Sequence, residues 1–200
     1  MLGTGGHASV VIDLARAAGH AVLGCVGPDA PAFDDTYCRH LGDDRILNEL
    51  DRSAVAAAVG IGSVRTPIAR RRVYDMLRSA GFDMPVLTHP RAIVAESAVL
   101  GDATQVMAGA VVQPLANVGA NVIVNTGAIV EHHARIGDHV HVAPGAVVCG
   151  TVTVGAGTHV GANATVLQGL TLGEDCLVAA GALVTRSAGN GAVLKGCPAR

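Results

Sequence analysis

From Val94 to Val184 every sixth position is Val, Ile or Leu, sixteen in succession, beginning Val94, Leu100, Val106, Val112 and ending Leu172, Val178, Val184. Glycine often follows directly, as in Leu100-Gly101, Ile136-Gly137 and Leu172-Gly173. Small residues recur two positions earlier, as at Ala98, Ala110, Ala128 and Ala146. A period of six fits neither a helix of about 3.6 residues per turn nor a plain two-residue alternation. It predicts a parallel β-helix in which each hexapeptide supplies one short strand and one corner, with three hexapeptides closing a triangular coil of about 18 residues. The aliphatics stack inside the prism through about five coils, each coil covering its neighbour's backbone. Glycine, Asn and Asp are expected at the corners, where positive φ is needed.

The first part of the chain has a different period. Gly3-Thr4-Gly5-Gly6-His7 opens a stretch with Val10, Val11, Leu14 and Ala17 or Ala18 on one helical face, ending at Gly19. Residues 21–26, 55–61 and 85–87 read as strands, 27–44 as a polar loop. Residues 65–78 read as a helix that buries Ile68, Val73, Leu77 and Ala80. Strands alternating with helices predict a small parallel sheet, hence an α/β domain. Only Met1 and Leu2 precede the glycines, so the first strand is expected to be clipped or to begin upstream. The division is residues 1–88, a β-helix over 89–186, and a tail over 187–200.

Composition narrows the classes of function. Half of the 200 residues are hydrophobic but 2% are aromatic, so the core is built from Val, Ile, Leu and Ala. A net charge of −2 and the shortage of base-stacking rings argue against nucleic acid. No apolar run reaches the roughly 18 residues of a membrane span. Met1 and Leu2 lead straight into glycines, so no secretory signal is expected, and the cysteines form no CxxC pattern. The five scattered cysteines therefore read as reduced, buried thiols in a cytoplasmic protein, Cys149 and Cys176 as small fillers in the solenoid.

Three features carry candidate chemistry. The glycine turn at residues 3–6 puts backbone N–H groups at a helix start, where an anion is favoured, yet its GxGG spacing also suits a plain tight turn. His7 there reads as a ligand contact or a cap. The run Arg70-Arg71-Arg72 reads as a binding patch or, the bland expectation, a solvated helix face. Histidine is concentrated between positions 132 and 159. His132 and His133 fall at a corner, His141 on the outer surface of the solenoid, His159 one coil above His141, and Gly150 one coil above His132. These histidines read three ways: incidental, a metal site between subunits as in β-helical carbonic anhydrases, or a general base for group transfer. The pattern places no carboxylate or imidazole where it would orient a metal's ligands.

The chain resembles the bacterial sugar O-acyltransferase family, typified by sialic acid O-acetyltransferases and nucleotide-amino-sugar N-acetyltransferases. The resemblance covers nearly all of the chain. It rests on the glycine-histidine turn at 3–7, residues 59–65, Asn125 to His132, Ile136 to Ala146, and the tail from Gly196 to Arg200. It implies a Rossmann-like domain for a sugar nucleotide, then a left-handed β-helix for acetyl-CoA, in a homotrimer with sites between subunits. No metal is expected. In the family pattern His132 is the general base, with His133 beside it. His141 contacts the thioester region, Gly150 lies near the acyl group, and Ala162 and Ala180 contact the pantetheine. Gly5, Gly6, His7 and Gly62 hold the sugar nucleotide, and Lys195 to Arg200 lie beside the coenzyme.

The sequence departs from that pattern twice. The family usually has Asp or Glu after the base, where this chain has His133, an imidazole that can orient His132 without adding negative charge. Glu131 stands in only if the corner bends it to the same side. The family often has paired aspartates after the second strand, where Gly27-Pro28-Asp29 leaves one. The expected reaction is direct acetyl transfer to the amine of a nucleotide-linked amino sugar. O-acetylation of a sialic acid or other sugar is the alternative, and a metal-dependent hydratase the alternative of another class.

Overall fold

In the computed structural model, residues 1–31, 33, 34 and 36–200 are described. Residues 32 and 35, inside the loop expected over 27–44, lie outside the described residues. The hexapeptide run is a solenoid of two-residue parallel strands on three faces. The first face holds seven strands, from Leu87–Thr88 to Val193–Leu194. The second holds six, from Ile93–Val94 to Leu183–Val184. The third holds five, from Val99–Leu100 to Thr171–Leu172. Strands pair at a step of one coil, as His141 does with Ile123 below and His159 above. Leu87–Thr88 and Val193–Leu194 extend the solenoid at its two ends, giving six turns where the repeat pattern predicts five.

The sixteen aliphatics form its core, buried from Val106 onward and half-buried at Val94 and Leu100 in the open first turn. Corners adopt positive φ as expected at Asn121, Asn163 and Asp175, and also at Leu115, His133, His139 and Thr151. The stacked ladder imposes that conformation on residues that seldom adopt it alone.

In the α/β part, Leu2 bridges both Val26 and Val59, and Cys25 bridges His40, all parallel. The strands expected over 21–26 and 55–61 are thus present as single bridges, while the one expected over 85–87 appears as Leu87–Thr88 and pairs into the first face of the solenoid instead. Helix α1 (Gly6–Ala17) follows the glycine turn and α2 (Ile68–Ser79) follows the loop after Ile61. Helix α1 is covered on two sides: Val11 and Leu14 meet Leu87, Met107 and Ile123 on the first face, while Ile12 meets Cys25 and Cys38. Val10, expected to be buried, therefore turns to solvent.

Helix α2 departs further. Ile68 is 67% exposed, and the buried residues are Arg70, Tyr74 and Leu77. The expected solvated arginine face is corrected at Arg70, whose guanidinium sits between the helix and the solenoid. The five cysteines are free thiols, and Cys197, against expectation, is exposed on the tail.

Candidate functional site

The corner after the second face carries residues 131–134. His132 Nδ1 lies 3.1 Å from His133 Nδ1, one ring donating to the other, with the rings nearly perpendicular. Positive φ at His133 swings its ring back toward His132. Both imidazoles are exposed. Gly150 lies against His132 one turn above, and a Cβ built there would come within 2.6 Å of His132 Nε2, so glycine lets the ring stand where it does and a larger residue would displace it. Glu131 Oε2 accepts from the His132 backbone N–H at 3.2 Å, so its hydrogen bond goes to the backbone rather than the ring. Cys149 stands above Glu131. Burial, and second the Glu131 charge, push its thiol up, away from a reactive thiolate.

A second group lies where the α/β part meets the first face. His141 points out of the prism as expected, but it is buried rather than on the surface, because the segment around Ser63 covers it. Its Nδ1–H donates to Ser63 O at 2.8 Å, and Nε2 accepts from Asn125 Nδ2 at 3.0 Å, which sets the tautomer. Burial first, and the neighbouring His159 second, pull His141 down to about 3, so it is neutral. His159 stacks edge-on at 4.9 Å, in the register the period predicts. His7 Nε2 donates to Gln105 Oε1 at 3.1 Å, and Gln105 Nε2 donates to Val59 O at 2.7 Å. Burial also lowers His7, against the raising effect of the Gln105 bond.

Beside His7 opens a cleft of about 500 Å³ lined by the glycine turn, Gly60 to Gly62, Asp29 and Asp44. Gly3 is needed for packing, since a Cβ there would lie 2.5 Å from Gly60 O. Gly5 and Gly6 face open space, and Gly62 abuts the His7 ring, where a Cβ would come within 3.2 Å. Asp44 is a residue the sequence reading missed. The loop that leaves after Asp29 returns at Asp44, so two carboxylates share the cleft although one follows the second strand.

The third group lies on the corner between the first and second faces. Ala162 and Ala180 stack there, Gly181 N donating to Ala162 O at 2.8 Å. The tail folds back on the last turn nearby through Ala199 N to Leu183 O at 2.7 Å. One chain therefore brings His132, His133 and Gly150 together, and His7, Gly62 and His141 along one junction. It does not join these groups to Ala162 and Ala180. Among the described residues no group of three or more His, Cys, Asp or Glu side chains could hold a metal ion, and no helix is long and apolar enough to cross a membrane.

Comparison with known proteins bears on this arrangement. The PglD N-terminal domain family matches residues 1–77, and the hexapeptide repeat of succinyl-transferase matches 151–186. UDP-N-acetylbacillosamine N-acetyltransferase of Bacillus subtilis is 38% identical over 113 residues, 54% of this chain and 50% of that protein, so the match spans about half of that relative. A point variant of perosamine N-acetyltransferase from Caulobacter crescentus, solved with CoA and GDP-perosamine, superposes with a TM-score of 0.92 at 34% identity, covering 100% of this chain and 93% of that one. The acetyltransferase domain of PglB from Neisseria gonorrhoeae, solved with acetyl coenzyme A, gives 0.92 at 32%, covering 100% and 96%.

Proposed function

We propose that this chain, which belongs to the hexapeptide-repeat sugar acyltransferases that include the nucleotide-amino-sugar N-acetyltransferases, moves the acetyl group of acetyl-CoA onto the amine of a nucleotide-linked amino sugar. The observation that carries this reading is the imidazole pair packed against Gly150. With His132 Nδ1–H donating to His133 Nδ1, the lone pair of His132 Nε2 is left to accept a proton. The sugar amine attacks the thioester carbonyl as His132 Nε2 takes its proton. The Gly150 N–H meets the oxyanion. The C–S bond then breaks, and the proton passes to the departing thiolate to give free CoA.

The acceptor fits the cleft at the glycine turn. Gly5 and Gly6, open toward the cleft at the start of α1, give a diphosphate backbone N–H groups without a side chain in the way. Asp29 and Asp44 offer acceptors for nucleoside hydroxyls or ring N–H groups. The relatives' acceptors are amino sugars, which favours N- over O-acetylation.

The second face supports a trimer that completes the site. Its outward column is Ile93, Val111, Ile129, Val147, Thr165 and Leu183, apolar at all but one position. The third face shows Val99 in the first turn and then Asn117, Arg135, Thr153 and Thr171, all polar. Three copies that turn the second face to a common axis bury that column and meet along its two edges. One edge carries His132 and Gly150, and the other carries Ala162 and Ala180. The base of one copy then faces Ala162 and Ala180 of the partner subunit, where the pantetheine runs.

The test is CoA thiol release with GDP- and UDP-linked amino sugars and with free sialic acid, for the native chain and His132→Ala. Turnover on a nucleotide amino sugar, lost in His132→Ala by about 10²–10⁴-fold with acetyl-CoA binding kept, is expected. Turnover on sialic acid alone, or full activity in His132→Ala, would overturn it.

A further inference from the structure

Arg70 is wholly buried, and all of its hydrogen bonds go to main-chain carbonyls of the solenoid. Nη1 donates to Asn121 O, and Nη2 donates to His139 O and, at 3.4 Å, to Val140 O. Asn121 and His139 are corner residues of two successive coils, both with positive φ. Three ion pairs form among the described residues, and none includes Arg70. Its Nε has no hydrogen-bond partner. Burial first and Arg71 second act against its charge. A buried cation without a carboxylate is a poor device for stability, since an apolar side chain of similar volume often serves as well or better. Directional bonds to fixed carbonyls do what an apolar contact cannot: they set position.

The rest of the helix follows the same corner. Arg71 reaches Asp175 at 3.9 Å, and Tyr74 packs edge-on against His139 at 5.4 Å. The α/β part thus meets the solenoid over its first face, where α1 covers Met107 and Ile123 and the 59–63 segment reaches Gln105 and His141 on either side of Ile123. It also meets the corner before that face, where Ala103 N donates to Met84 O at 2.8 Å and Arg70 of α2 bonds the next two coils. Contacts on a face and along its corner fix one body on the other.

We infer that Arg70 is a positioning residue that holds the domain carrying the acceptor cleft at a set angle to the solenoid. The inference rests on the proposed reading in one respect: the acceptor lies in the α/β cleft and the donor on the solenoid. Each ligand then binds within one body, and only the alignment between them depends on Arg70. Displacing reacting groups by about 1 Å costs on the order of 10²-fold in rate.

The test compares native protein with Arg70→Met and Arg70→Lys, each as the full chain. GDP and CoA affinities, kcat, and amide hydrogen exchange are measured together. Arg70→Met fills the space without the bonds. It is expected to keep both affinities and the protection of the solenoid ladder. Exchange should speed up in 61–66 and α2, and kcat should fall at least tenfold. Arg70→Lys, able to reach fewer carbonyls, should fall between the two. Native exchange in 61–66 and α2 would overturn the inference. So would a general loss of protection with both affinities gone, which is the mark of a merely structural residue. If the native chain turns over no acceptor, the functional reading fails while the exchange pattern still decides the role of Arg70.

Discussion

At Gly150 the spacing is set by an imidazole rather than by backbone conformation. A Cβ there would sit 2.6 Å from both Nε2 and Cε1 of His132. Gly150→Ala must therefore push the ring aside while leaving the ladder on either side of the corner intact. Activity should fall to near that of His132→Ala, with the thermal midpoint changed by a few degrees at most. An active Gly150→Ala enzyme would separate Gly150 from the chemistry.

The buried histidines give a second residue-scale prediction. His7, His139, His141 and His159 are all lowered, with burial the largest cause in each. Below their unfolded value of about 6.5, the unfolded chain takes up protons that the folded chain refuses. Stability is therefore lost as pH falls from about 6.5, and for His141 the loss continues to about 3. The urea midpoint should drop between pH 7 and pH 5, and less steeply in His141→Asn. An unchanged slope in that variant would place the acid sensitivity elsewhere.

At the scale of elements, the second face is the most exposed to test. Val147 stands in the middle of its outward column, between Ile129 and Thr165. Val147→Asp places a carboxylate where three copies would meet. It should yield folded monomer by analytical ultracentrifugation, with the solenoid intact by circular dichroism and turnover lost. A trimer in that variant would move the interface to another face.

The elements also explain what could be read beforehand. The solenoid was legible because each strand is two residues long and its inward residue recurs every six, so the core is written directly in the chain. The stacking of Gly150 over His132 and of His159 over His141 followed from the same arithmetic. The α/β helices were legible as helices and their faces in part: Val11, Leu14 and Leu77 are buried as expected, while Val10 and Ile68 are exposed. Arg70 meets Asn121 and His139 across 51 and 69 residues of chain, and no local period records such a contact. The burial of His141 under Ser63 escaped for the same reason, as did the return of Asp44 to the cleft beside Asp29. For Arg70 and His141 the burial comes from how two bodies dock, and for Asp44 the placement comes from the path of a loop, while periodicity reports how one body is built.

For the whole molecule, the separation of the three site groups around one chain is the decisive fact. His132 and Ala162 sit at opposite edges of the second face, so under the proposed function a complete centre takes two copies. The direct measurement is subunit complementation. His132→Ala is co-expressed with Ala162→Trp, each inactive alone, and acetyl transfer by the mixed trimers is measured. Random assembly leaves about one interface in four with an intact His132 edge against an intact Ala162 edge. Activity should thus return to about a quarter of the native value. Mixed trimers as inactive as the two parents would place both edges of the site in a single chain and contradict the account.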